Sequence, residues 1–257
     1  MSFPAGIMWR VRRTVVLLHG FTHTGRSWDP VVARLGERYR ALAPDIRGHG
    51  AAAEARPVGP AECAADVAAA APESFVLAGY SMGGRLALHV ALSHPGRVEA
   101  LVLVAATPGL ADPVEREARA REDAALAEQI EASTIEEFAE RWGRNPLFKG
   151  QPTEVAEAAH ADRLRNGTSG LAAALRGLGQ GACEPLWGRL GELRMPVVLV
   201  VGERDARYRK LAERMAAAIP HADVLIVPAT GHAVHLEAPG IVAEAIVQAA
   251  SAREPAC

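Results

Sequence analysis

One serine stands in a setting that could make it reactive. Gly79-Tyr80-Ser81-Met82-Gly83, with Gly84 behind it, directly follows the apolar run Phe75-Val76-Leu77-Ala78 and directly precedes a helical pattern beginning near Arg85. Glycines two before and two after a serine let a strand turn sharply into a helix, presenting the hydroxyl on a strained corner at the helix N-terminus. A hydroxyl becomes a useful base or nucleophile when an imidazole takes its proton and a carboxylate orients that imidazole. On a strand–elbow–helix scaffold the acid and the histidine follow the serine in that order. Among the nine histidines, His232 ends a strand-then-turn, Asp223-Val-Leu-Ile-Val-Pro-Ala-Thr-Gly-His232, and His235 is its competitor three residues on. His49, His89, His94, His160 and His221 fall in turns or helices, where a packed or solvated histidine is the common case. The run at 196–201 leads into Gly202-Glu203-Arg204-Asp205. Glu203 is too close to the strand end, and the run at 100–104 is followed by no carboxylate. Asp205 is therefore the acid by elimination, and the expected triad is Ser81, Asp205 and His232.

Backbone donors complete this chemistry. His19-Gly20-Phe21 closes the first strong apolar run, so the N–H of Phe21 is expected to face that of Met82 as an oxyanion hole, with His19 structural. Such a pair serves a tetrahedral intermediate or an enolate equally well, which leaves the reaction open. Arg85 lies four residues after Ser81 on the same helix face. A permanent cation there suits an anionic substrate. Arg116, Arg119, Arg121, Arg163 and Arg165 are further candidates, because guanidinium groups capture carboxylates in bidentate fashion.

The elements that must hold these residues show a rhythm. Short apolar runs at 15–18, 39–43, 75–78, 100–104, 196–201 and 223–227 are near-continuous rather than alternating, the pattern of a parallel sheet covered on both faces. Ala-rich stretches at 86–92, 211–219 and 241–250 read as the covering helices. The fold class is α/β, with a mostly parallel central sheet and helices on both faces. Before the first run there is room for one antiparallel edge strand. From about Leu110 to Leu190 only helical pattern appears, interrupted at Asn145-Pro146, Gly150-Gln151-Pro152 and Asn166-Gly167. The expected organisation is a core of residues 1–109 and 191–257 with a helical cap, 110–190, over the carboxyl ends of the strands.

Composition excludes other classes. A chain of 257 residues buries roughly 70–75% of its unfolded surface, so no disulfide or metal staple is required. Net charge is −2 with no Lys/Arg-rich run, so a nucleic-acid or membrane-surface partner has no electrostatic support. Cys63, Cys183 and Cys257 form no CxxC, which argues against zinc or a disulfide framework and fits a reducing compartment. No histidine pair has metal-ligand spacing and no Gly-rich dinucleotide fingerprint follows the first run, so neither metal nor cofactor is expected. There is no signal-like start, and every apolar run falls far short of the roughly eighteen residues a membrane span needs. The expectation is a cytoplasmic protein acting on a small anionic molecule, with the oligomeric state left open.

The whole chain resembles the α/β-hydrolase fold, and within it is similar to the 2-succinyl-6-hydroxy-2,4-cyclohexadiene-1-carboxylate (SHCHC) synthase family of menaquinone and phylloquinone biosynthesis. The resemblance is carried by Gly79-Tyr-Ser-Met-Gly-Gly-Arg85, Thr107-Pro-Gly-Leu110, Trp142 with Asn145-Pro-Leu-Phe148, Arg163 ahead of Leu171-Ala172, Pro185-Leu-Trp187, Gly202-Glu-Arg-Asp-Ala-Arg-Tyr208 and Gly231-His232. Ala233 departs from the Asn of many members. The resemblance implies a lyase acting on a cyclohexene that bears a ring carboxylate, a succinyl side chain and an enolpyruvyl ether (SEPHCHC). The proton α to the succinyl ketone is removed and pyruvate is eliminated. It further implies that Ser81, activated by His232 and Asp205, is a general base, and that Phe21 and Met82 hold the enolate. Substrate carboxylates would meet Arg85, Arg163 and one of Arg116, Arg119 and Arg121, with Arg121 the expected one; Tyr80 and Trp142 map onto the pocket. The alternative is a carboxylesterase or thioesterase for a small acidic ester, with Ser81 as nucleophile. A non-catalytic receptor is disfavoured by the intact triad.

Overall fold

The computed structural model describes residues 12–252. The edge strand expected before residue 15 would begin outside the described residues. The first half of the chain forms β1 (Arg13–Leu18), α1 (Asp29–Leu35), β2 (Tyr39–Leu42), α2 (Pro60–Ala70), β3 (Phe75–Tyr80), α3 (Met82–Ser93) and β4 (Val98–Val104). Four helices follow without a strand: α4 (Pro113–Glu131), α5 (Ile135–Gly143), α6 (Thr153–Arg163) and α7 (Thr168–Leu178). The chain then returns through β5 (Val197–Gly202), α8 (Ala206–Ala216), β6 (Ala222–Val227), α9 (Val234–Glu237) and α10 (Pro239–Ser251).

All six described strands are parallel, in the order β2-β1-β3-β4-β5-β6. Every residue of β3 is buried, as two covered faces demand, and that is why these strands are apolar without alternation. Right-handed crossovers put α1 on one face and α2, α3 and α8 on the other. The closing helix α10 packs on α1 and on β3, β4 and β5. The chain leaves β1 toward β2, then returns to place β3 on the other side of β1. The carboxyl ends of β1 and β3 therefore form a topological switch point, where open α/β sheets bind ligands. Leu18 of β1 is in register with Gly79 of β3 there.

The segment between β4 and β5 has an apolar centre of its own, built from Ala127, Ile130, Phe138, Leu171, Ala172 and Leu175. Phe21, from the loop after β1, packs against it. Here α4 lies along α7, and α5 along α6. One local expectation is corrected: α3 begins at Met82, not near Arg85. Ser81 itself flanks the helix as its N-cap, so the turn is complete within one residue of the strand end and Gly83 and Gly84 lie in the first helical turn.

Candidate active site

The elbow is shaped by close approach of backbone to backbone. Ser81 has φ 52° and ψ −109°, a strained conformation for a residue with a side chain, held by the elements on either side. A Cβ on Gly79 would sit 2.4 Å from the Gly83 carbonyl oxygen, and one on Gly83 would sit 2.2 Å from that of Leu18. Glycine at both positions is what lets α3 start against the ends of β1 and β3.

Three elements then converge. Asp205 caps the N-terminus of α8 directly after β5, and His232 lies in the turn between β6 and α9. His232 Nδ1 is 2.7 Å from Asp205 Oδ2, and its Nε2 is 3.1 Å from Ser81 Oγ. A carboxylate can only accept, so Nδ1 carries the proton and Nε2 is left to take that of Ser81. Asp205 is steadied by the Tyr208 N–H, which donates to Oδ1 at 3.3 Å, and Tyr208 packs its ring 4.5 Å from that of His232. His235, the competitor, is fully buried and neither of its ring nitrogens has a hydrogen-bond partner among the described residues.

Ser81 opens into a cavity of about 310 Å³ lined by Phe21, Met82, Arg85, Arg119, Trp142, Asn145, Gln180, Arg207 and Tyr208, among others. Met82 is the first residue of α3, so its N–H has no carbonyl within the helix to bond. That N–H, at the start of α3, and the Phe21 N–H, in the loop after β1, both lie at the switch point. Trp142 stands edge-on to Phe21, ring centroids 5.4 Å apart. Arg85 is buried, its Nη2 donating to the Leu178 carbonyl at 2.5 Å, and it has no carboxylate partner among the described residues. A buried cation left in that condition is costly unless an anion joins it. Arg207, on the first turn of α8, adds a second guanidinium without an ion-pair partner among the described residues.

Other expected binding residues are placed differently. Arg121 is corrected: its side chain is 67% exposed and pairs with Glu117 at 2.6 Å. Arg119 instead reaches the cavity while bonding Asp123 at 2.7 Å. Two residues apart on a helix is about 200° of rotation, so only one of the pair can face inward. We expect Arg119→Ala to raise KM about tenfold, and Arg121→Ala to leave KM within about twofold, in steady-state assays of the natural reaction. Tyr80 and Arg163 are both buried, and they stand outside the residues that line the cavity. Tyr80 is buried behind the elbow, its ring 5.3 Å from His232 and 4.1 Å from His235. Arg163 is buried with Nε unpartnered and its guanidinium 5.1 Å from the Phe148 ring centroid. A Cβ on Gly143 would sit 3.5 Å from Arg163 Nη1. Of the residues not anticipated, Arg207 had a sequence signal, its position two residues after the triad acid.

Histidines packed around the site carry a pH consequence. Burial lowers His19 to about 4, and holds His49 and His235 well below the usual imidazole range. Each is kept neutral by the fold but protonates freely once unfolded. Stability is therefore fully present above about pH 6.5 and is lost as pH falls from there toward 4. For His19 the loss reaches about 2 kcal/mol at pH 5. Urea unfolding at pH 7 and pH 5 should show the decline, with protons taken up on unfolding at the lower pH.

Comparison with known proteins agrees with this geometry. The family described as "Alpha/beta hydrolase family" matches residues 15–245. The chain is 36% identical over 235 residues to the "Putative 2-succinyl-6-hydroxy-2,4-cyclohexadiene-1-carboxylate synthase" of Bacillus subtilis (strain 168), covering 88% of this chain and 85% of that protein. It is 31% identical over 238 residues to the "2-succinyl-6-hydroxy-2,4-cyclohexadiene-1-carboxylate synthase" of Enterobacter sp. (strain 638), covering 91% of this chain and 90% of the relative. Among solved structures, MenH from S. aureus superposes with a TM-score of 0.88 at 28% identity over 95% of both chains.

Proposed function

The chain belongs to the α/β hydrolase family and, within it, to the SHCHC synthases, and from that premise we propose that Ser81, His232 and Asp205 form the base of its elimination reaction. The enzyme is a carbon–oxygen lyase of menaquinone and phylloquinone biosynthesis that releases pyruvate from SEPHCHC. The observation that carries the mechanism is a serine–imidazole–carboxylate chain opening into a cavity where Arg85 and Arg207 have no carboxylate partner among the described residues.

In this mechanism Ser81 Oγ removes the proton α to the succinyl ketone while its own proton passes to His232 Nε2. The electrons of the broken C–H bond move onto the ketone oxygen, where the N–H groups of Phe21 and Met82 receive the developing enolate charge. As the enolate collapses the ring C–O bond breaks, pyruvate departs as its enolate, and the imidazolium returns the proton to it. Asp205 keeps the Nδ1–H tautomer and stabilises the imidazolium. Arg85, Arg119 and Arg207 take the substrate's carboxylates, and Trp142 forms the apolar wall. Residues 110–190 act as the cap that closes this cavity over the sheet. The same reading makes the protein a cytoplasmic enzyme working without metal or cofactor, and the free buried thiols of Cys63 and Cys183 suit that compartment. Among the described residues no helix is long and apolar enough to cross a membrane.

The test is kinetic. SEPHCHC is generated enzymatically, and pyruvate release and the absorbance of the new diene are followed against the spontaneous rate. Both should appear together and far above that rate, with kcat/KM well above that for p-nitrophenyl esters. The reverse ranking would make the protein an esterase.

A further inference from the structure

The loop that carries Phe21 is not held by the sheet alone. Its next residue, Thr22, has φ 71°, a left-handed backbone that costs roughly 1–2 kcal/mol for a residue with a Cβ. Such a loop keeps its shape only where neighbours over-determine it. Several of those neighbours come from the segment between β4 and β5. Asp162, near the end of α6 and only 7% exposed, accepts from the Thr24 N–H at 2.9 Å through Oδ2 and from the Thr24 hydroxyl at 2.5 Å through Oδ1. The same Oδ2 lies 3.1 Å from His23 Nδ1. Asn166, one turn further, donates to the Thr22 carbonyl at 2.8 Å and accepts from the Gly50 N–H at 3.0 Å. The nearest guanidinium to Asp162 is that of Arg165, 3.8 Å away at a partly exposed position.

We infer that Asp162 is a positioning residue of the reaction: it clasps the loop at His23 and Thr24 and so fixes where the Phe21 N–H points. The inference rests on Phe21 being an oxyanion donor. It makes the electrostatic stabilisation of the enolate depend on the docking of α6, although α6 contributes no oxyanion donor itself. A carboxylate suits the task because its two oxygens serve three donors at once, and charge-assisted bonds are roughly twice as strong as neutral ones. Burial alone would raise the Asp162 pKa, but the bonds from His23 and Thr24 outweigh it and hold the carboxyl below its ordinary range. The charge of the clasp is therefore built in at neutral pH. A 1 Å misplacement of a donor is enough to cost about 100-fold in rate.

The experiment compares Asp162→Ala, Asp162→Asn, Thr24→Val and Thr24→Ser with wild type, each first shown to be folded by thermal unfolding. Asp162→Ala should lower kcat about 100-fold with KM within about threefold, and Asp162→Asn, which keeps one carbonyl acceptor, should recover about tenfold of that. Thr24→Val should lower kcat about tenfold, and Thr24→Ser should restore it. If Asp162→Ala fails to fold, the Thr24 pair alone decides. A purely structural role would lower the melting temperature while leaving kcat within about twofold, and that result overturns the inference. A rise in KM with kcat unchanged also overturns it, because Asp162 would then act on substrate binding. Hydrolysis of p-nitrophenyl acetate, which draws on the same N–H pair, should show the same ratios among variants. Wild type lacking pyruvate release would refute the proposed mechanism, and the ester ratios would still judge the clasp.

Discussion

Replacing Ser81 with alanine lowers kcat for pyruvate release by about 10³-fold, with KM within a few-fold of wild type, the loss expected when a positioned proton acceptor is removed. The hydroxyl sits 3.1 Å from His232 Nε2 and lines the cavity, so its loss leaves the imidazole facing a methyl group that can exchange no proton. His232 is buried behind it and cannot advance to take the substrate proton itself. The oxyanion donors and the guanidinium groups stay in place, so binding survives and a residual rate above the spontaneous one remains. Steady-state pyruvate assays on the two proteins, with matching melting temperatures, give this result directly. A Ser81→Ala variant retaining a tenth or more of wild-type kcat would remove the serine from the mechanism.

Truncating Arg85 to alanine should cost roughly 2–4 kcal/mol in kcat/KM, which is about 30-fold to 1000-fold. Its guanidinium is buried on the first turn of α3, fastened by Leu178 and by no carboxylate among the described residues. An anion that binds there is desolvated against a fixed charge, and contacts of that kind exceed surface ion pairs in strength. The loss should appear chiefly in KM for the carboxylate that stays with the product. Arg85→Lys should regain part of it, as a point charge replaces a planar fork. Hydrolysis of uncharged p-nitrophenyl esters should change little in the same variant. An equal loss for charged and uncharged substrates would show that Arg85 supports the elbow rather than grips an anion.

The sheet was readable because a strand covered on both faces has to be apolar at every position. Six near-continuous apolar runs appear in the sequence and the six described strands carry them, the edge strands β2 and β6 being only partly buried. The elbow was readable for a steric reason: at Gly79 and Gly83 a Cβ would fall within 2.4 Å of a carbonyl oxygen, so glycine spacing reports backbone contact. The arginines of α4 were harder. Asp123, Ala127 and Ile130 are its buried residues, and extending that stripe back by four leads to Arg119, leaving Arg121 on the solvent side. That periodicity is present in the sequence but is muted by the many charges on the helix. For Tyr80 and Arg163, position beside a motif does not reveal which way a buried side chain turns: Tyr80 packs on His232 and His235, and Arg163 lies over the Phe148 ring. The Asp162 clasp was invisible: its partners lie 138 and 139 residues away along the chain, and no local pattern relates residues so distant.

The account turns on a C–H bond being broken by Ser81, and isotopic substitution addresses that bond directly. Substrate deuterated at the carbon α to the succinyl ketone is mixed with excess wild-type enzyme, and pyruvate is measured over a single turnover. The account predicts slower release from the deuterated substrate than from the protiated one, with the intact protein mass unchanged throughout. Identical single-turnover rates, together with a substrate-derived mass added to Ser81, would contradict it.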